Sequence, residues 1–211
     1  MTAPVRTGLI GYGFGGAALH APAISRVAGL KLAAVATRQG DRVRQDWPGT
    51  RAVGVQDLLG DPEIELVVVA APNDLHLPLA RQALQQGKHV VVDKPFAETW
   101  AQARELADLA EATGRLLSVF HNRRYDGDFR LLQKVLSEGR IGRPVMLESR
   151  FDRFRPQPKE RWRELPGIGV DVPNRPLEFR REANVFRNEP AQHLLHIAHD
   201  IVDRCLSSCH H

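Results

Sequence analysis

Gly11-Tyr12-Gly13-Phe14-Gly15-Gly16 leaves this chain less freedom than any other stretch of it. A short apolar run over residues 5–11 leads into it. A helical pattern over 15–27 follows, with Ala17, Ala18, Ile24 and Val27 on one side. Gly11, Gly13 and Gly16 have the G-x-G-x-x-G spacing. The first glycine permits a tight turn out of a strand, the second lets a pyrophosphate approach the backbone, and the third lets the helix pack close to the strand. The helix start then offers free N–H groups and a favourable dipole to phosphates. A βαβ unit that binds a dinucleotide is expected, with Gly11, Tyr12, Gly13, Phe14 and Gly16 against the cofactor.

The pattern continues as alternating strands and helices. Apolar runs at 31–36 and 51–55 read as strands, and the β-branched runs at 65–71 and 88–93 read as strands buried on both faces. Residues 75–86 read as a helix closed by Gly87. Thr99 with Gln102 has the spacing of a capping box for a helix over 100–112, ended by Gly114, and 116–120 is one more strand. Strands alternating with helices predict a doubly wound parallel sheet, the Rossmann arrangement, over residues 1–122. Residues 123–211 are expected to form a partial α/β second domain with a mostly antiparallel sheet. It would comprise a helix over 125–138, a strand over 145–155, a proline-rich stretch from Pro156 to Pro190, and a helix over 191–206.

Loops at the carboxyl ends of such strands hold the chemistry. About 20 residues past the glycines stands Ala36-Thr37-Arg38, with no acid to hold a ribose 2′-hydroxyl; Asp41 comes later. Arg38, with Thr37, suits a 2′-phosphate, so NADP is the expected cofactor and NAD the alternative. After the fourth run, Pro72, Asn73 and His76 face the same crevice, although Asn73 also suits a helix N-cap and His76 a helix surface. After the fifth, Asp93-Lys94-Pro95 offers a lysine able to donate to a substrate oxygen.

These stretches together resemble the glucose–fructose oxidoreductase / inositol dehydrogenase family, written Gfo/Idh/MocA. The resemblance rests on Gly8 to Gly16 with His20-Ala21-Pro22, on Ala71 to His76, on Gly87 to Phe96 and on His121-Asn122-Arg123-Arg124, and it runs from about Val5 to Glu164. It implies oxidation or reduction of a sugar, polyol or related hydroxy or keto compound with NAD(P). It further implies Lys94 as the catalytic residue between nicotinamide and substrate, Pro95 beside the cofactor, and Asn122 and Arg123 near the substrate. Asp93 stands where the family has Glu. The family's Asp-x-Gly-x-His motif has its nearest echo in Glu189-Pro190-Ala191-Gln192-His193, making His193 a second catalytic candidate.

The 211 residues fall short of a complete second sheet for this family. That opens an alternative: a truncated member that binds nucleotide without turnover, or that acts only with a partner. An unpaired sheet edge would also allow a homo-oligomer. A net charge of +4 comes without any nucleic-acid motif, no apolar run is long enough for a bilayer, and the start lacks a signal-peptide pattern. The expected partner is therefore a small polar molecule, not nucleic acid or membrane, and the expected location cytoplasmic. Cys205 and Cys209 near the end exclude a disulfide framework, and the histidines around them match no metal-ligand spacing.

Overall fold

A computed structural model describes residues 3–146. Backbone contacts divide the chain into a unit of residues 1–121 and a unit of residues 122–211.

The first unit is built on six parallel strands. They are β1 (Val5–Ile10), β2 (Leu30–Ala36), β3 (Arg51–Val53), β4 (Leu66–Val69), β5 (His89–Val92) and β6 (Leu117–Val119). Their order across the sheet is β3-β2-β1-β4-β5-β6. β1 pairs with β2 on one side and β4 on the other, so the winding reverses between β1 and β4. That reversal is where an open α/β sheet leaves a ligand crevice at the carboxyl ends of its strands.

Side chains of a strand point alternately to the two faces, so a run of valines feeds two cores at once. Val67, Val69, Val90 and Val92 face one layer, with Leu58, Leu59, Ala80, Ala83, Leu84, Leu106 and Ala110. Those residues come from the helices α3 (Val55–Gly60), α4 (His76–Gln85) and α5 (Trp100–Thr113). Leu9, Val35 and Val68 face the opposite layer. There they meet Ala21 and Ile24 of α1 (Ala21–Arg26) and Val43 of α2 (Gly40–Asp46).

Several ends differ from the sequence reading. The helix expected over 15–27 begins as a wider turn, Gly16–His20, in which the Ala21 N–H reaches back to the Gly16 carbonyl. Residues 54–55, read as the end of a strand, instead lead into α3, whose buried pair Leu58 and Leu59 is too short a signal for a helical period. The charged helix α2, which buries only Val43, has no apolar period to reveal it. Thr99 does cap α5, its hydroxyl accepting the Gln102 N–H at 3.3 Å, but the Gln102 side chain returns to the Glu98 N–H at 2.9 Å rather than to Thr99. Asn73 does not cap α4; it opens a short 3₁₀ turn, Asn73–Leu75, and Leu75 is the helix N-cap.

In the second unit, a 3₁₀ turn at Asn122–Tyr125 precedes α6 (Gly127–Ser137). Leu132, Val135 and Leu136 are half-buried on its apolar side. Val145 and Met146, the first residues of the strand expected over 145–155, are exposed and in no strand; the rest of that strand, the helix over 191–206 and His193 lie outside the described residues.

Candidate functional site at the sheet reversal

Past its last residue, β1 stays bonded to both of its neighbours. The Gly11 N–H donates to the Ala36 carbonyl of β2 at 3.0 Å, while the Ile10 carbonyl accepts the Ala70 N–H at 2.8 Å. Gly11 takes φ +100°, a left-handed value that a side chain rarely adopts, and a β-carbon there would lie 2.6 Å from the Ala70 carbonyl oxygen. A β-carbon on Gly16 would lie 2.1 Å from the Gly11 carbonyl oxygen. Gly13 has nothing within 4 Å of its β-carbon position. The turn is thus packed tightly where it meets the sheet and open where a phosphate would come, which fits a dinucleotide.

Two aromatic residues of the turn behave oppositely. Phe14 is 83% exposed at its lip, while Tyr12 is buried. The Tyr12 hydroxyl donates to Asp46 at 2.9 Å, and the Arg42 guanidinium stands 5.5 Å from the ring centroid. Burial first, and then the Asp46 carboxylate, raise the Tyr12 phenol above its ordinary value, so it stays a neutral donor. Sequence reading placed Tyr12 at the site but did not foresee its tie to α2, because α2 was itself not legible.

Past β2, the Thr37 hydroxyl accepts the Gln39 N–H at 3.0 Å and shapes the bend that presents an exposed Arg38. Asp41, the nearest acid, pairs with Arg44 in the first turns of α2.

Past β4, Pro72 is exposed and Asn73 half-buried on the loop. His76 is 1% exposed: its Nδ1 lies 2.7 Å from the Pro95 carbonyl oxygen and its Nε2 2.9 Å from the Ala71 carbonyl oxygen. Each ring nitrogen faces a backbone carbonyl, and the ring's N–H donates to one of them, so His76 is lodged between the β4 loop and the β5 loop instead of lying on a helix surface.

Past β5, Asp93 Oδ1 accepts the N–H of Lys94 at 2.8 Å, and the Lys94–Pro95 peptide is cis. The Lys94 side chain is exposed. Asp93 Oδ2 lies 3.4 Å from where a Gly15 β-carbon would stand and 3.6 Å from Nε2 of the buried His20. The β5 loop and the Gly-rich turn therefore adjoin. Burial alone would push the Asp93 carboxyl up; the His20 imidazole and the Lys94 N–H outweigh it, and the carboxyl is held below its ordinary value. Neither His20 nor Asp93 had a role from sequence. The only signals were His20-Ala21-Pro22 and the Asp in place of Glu.

Asn122 and Arg123 belong to the second unit, where the Arg123 guanidinium pairs with Asp126 at 2.8 Å.

A dinucleotide-binding Rossmann unit is the class of protein that this sheet order and turn define. Residues 5–121 match the family described as the oxidoreductase family with an NAD-binding Rossmann fold, GFO_IDH_MocA, and the chain belongs to that family. It is 51% identical over 173 residues to an uncharacterized oxidoreductase of Escherichia coli (strain K12), YdgJ, covering 82% of this chain and 50% of that one. It is 35% identical to the scyllo-inositol 2-dehydrogenase (NADP(+)) IolW of Bacillus subtilis (strain 168), covering 79% and 47%. Among solved structures it is similar to the YPO2259 oxidoreductase of Yersinia pestis, with TM-score 0.74, 48% identity and coverage of 78% and 47%. It is also similar to the biliverdin reductase of Synechocystis sp. PCC 6803 in complex with biliverdin and NADP+, with TM-score 0.65, 33% identity and coverage of 76% and 51%. The chain thus spans about half the length of the relatives it matches. No helix among the described residues is long and apolar enough to cross a membrane.

Proposed function

We propose that this chain carries the cofactor half of an NADP-preferring oxidoreductase that acts on a sugar, a polyol or a related hydroxy or keto compound. The observation that carries the reading is the adjacency of the Lys94 loop and the Gly-rich turn, fixed by Asp93 Oδ2 at 3.4 Å from the Gly15 β-carbon position. A nicotinamide bound there supplies or accepts a hydride at the substrate carbon. The residues of this chain do the rest. Backbone N–H groups at the turn hold the pyrophosphate against the open side of Gly13. Tyr12, Phe14 and Gly16 shape the turn, and Pro72, Asn73 and Pro95 border the cofactor. Lys94 Nζ gives a proton to the substrate oxygen in the reducing direction and takes it back in the oxidising one. The family resemblance alone supports a second proton-handling role for His193 and substrate roles for Asn122 and Arg123.

The preference for NADP is supported by Arg38 at the end of β2 and by the engagement of Asp41 with Arg44. The substrate class is supported by relatives named as scyllo-inositol 2-dehydrogenase and 1,5-anhydro-D-fructose reductase. Titration with NADPH and NADH, followed by turnover with a panel of polyols and sugars, tests the proposal. Tighter binding of NADPH with turnover is the expected result. Tight binding without turnover on any substrate would favour the alternative of a nucleotide-binding or partner-dependent member. Failure to bind either nucleotide would reject both.

A further inference from the structure

His20 is 2% exposed, and nothing in the function described above uses it. One side of its ring lies against Phe120, with ring centroids 4.2 Å apart. Its Nε2 has no hydrogen-bond partner within ordinary length; the nearest acid, Asp93 Oδ2, stands at 3.6 Å. Burying an imidazole nitrogen without a partner is costly, and so is burying a carboxylate. The Asp93 side chain is only 16% exposed. At 3.6 Å the two groups are paired by proximity rather than by a hydrogen bond, and each is the polar group that stands opposite the other's burial. Asp93 in turn uses its other oxygen to hold the N–H of the next residue, Lys94, at 2.8 Å. One carboxyl group thus has one oxygen on the Lys94 N–H and the other 3.6 Å from His20 Nε2.

We propose that His20 is a positioning residue: with Asp93 it forms a strut from the helix that follows the Gly-rich turn to the Lys94 loop, and so sets where Lys94 stands relative to a bound dinucleotide. The inference rests on the reading of Lys94 and the turn given under the proposed function. The strut has a counterpart on the other side of Lys94. There the buried His76 ring is lodged between the Pro95 carbonyl and the Ala71 carbonyl of the neighbouring loop, one nitrogen within hydrogen-bond distance of each. Lys94 is thereby fixed from two sides. The first strut crosses from the β1 loop past β4 to β5, and the second joins β4 to β5. Lys94 itself stays exposed, and its backbone carries the constraint.

The test uses His20→Phe, which keeps a ring against Phe120 but has no polar atom, and His20→Gln, which returns a donor. Asp93→Asn and the double variant His20→Phe/Asp93→Asn complete the cycle. Two quantities are read in the full chain: the Asp93 carboxyl titration by 13C NMR, and the NADPH protection of Lys94 from acylation by an amine-reactive ester. In His20→Phe the Asp93 carboxyl should titrate higher than in the parent. Protection of Lys94 should fall about fivefold, the scale of coupling between polar groups in contact. Glutamine should restore much of it, and the double variant should be no worse than Asp93→Asn alone. An unchanged titration and unchanged protection in a folded His20→Phe protein would overturn the strut, as would additive losses in the double variant. Should His20→Phe not fold, Asp93→Asn decides alone, and full protection of Lys94 in that variant would refute the link. NADPH that fails to protect Lys94 in the parent would reject the site reading instead, while the titration still decides whether His20 holds Asp93.

Discussion

Gly16 stands so close to Gly11 that a β-carbon on it would lie 2.1 Å from the Gly11 carbonyl oxygen. No rotamer change relieves that overlap, because the obstacle is backbone. Gly16→Ala should therefore force β1 and the turn apart and cost roughly 2–4 kcal/mol of stability. Gly13 has open space at the same point, so Gly13→Ala should melt like the parent. It should nevertheless weaken NADPH binding about tenfold, by standing where the pyrophosphate approaches the backbone. Thermal unfolding and NADPH fluorescence titration of both variants separate the two roles. A Gly13→Ala protein that binds as tightly as the parent would show that the turn does not hold the phosphates.

Arg38 should set the choice of cofactor. It is exposed at the end of β2, and the nearest acid, Asp41, is already paired with Arg44. A guanidinium on a phosphate is a charge-assisted contact, so Arg38→Ala should lose about 10- to 100-fold in NADPH affinity. NADH affinity should change little. Equal losses for both nucleotides would mean that Arg38 supports the loop rather than the 2′-phosphate.

The parallel sheet was legible from the β-branched runs, because strands buried on both faces need apolar residues at every position, as Val67, Val68 and Val69 show. The glycine turn was legible because close packing and left-handed φ leave few substitutes at Gly11 and Gly16. The helices α2 and α3 were not, since each buries too few residues to write a period. The roles of the histidines were hidden for another reason. His76 could be read as a helix-surface or a site residue, and only the closeness of the Ala71 and Pro95 carbonyls shows its ring lodged between two loops. His20 and Asp93 are 73 positions apart in sequence, and only the strand order brings them to 3.6 Å.

Lys94 should matter to turnover and not to folding. Its side chain is exposed, and its loop is held through backbone atoms, by Asp93 at the Lys94 N–H and by His76 at the Pro95 carbonyl. Lys94→Ala should leave the melting temperature unchanged while lowering kcat about 100- to 10,000-fold, the span of general acid–base contributions. Steady-state kinetics on a substrate found in the polyol and sugar panel check it. Turnover that survives the substitution would remove Lys94 from the reaction.

Acid should destabilise the protein in two separate intervals of pH. His89 is held below the ordinary histidine range, first by burial and then by the charge of Arg115, against a pull from Glu65. Its Nδ1 accepts the Leu116 N–H at 2.9 Å, a bond lost when that nitrogen is protonated. The unfolded chain takes up this proton more readily, so stability should decline as pH drops below about 6.5, until the folded value is passed. Asp93 is also held below its ordinary value, with burial opposing and His20 and the Lys94 N–H prevailing. Asp61 is held there too, by Arg51 and the Glu63 N–H. Such carboxylates contribute stability that is complete above the unfolded value of about 3.9 and is lost as pH falls through the folded value. Urea unfolding midpoints measured from about pH 8 to about pH 3 should therefore show two declines. His89→Gln should flatten the first, and Asp93→Asn should flatten part of the second while leaving the first in place. A first decline that persists in His89→Gln would trace it to another group.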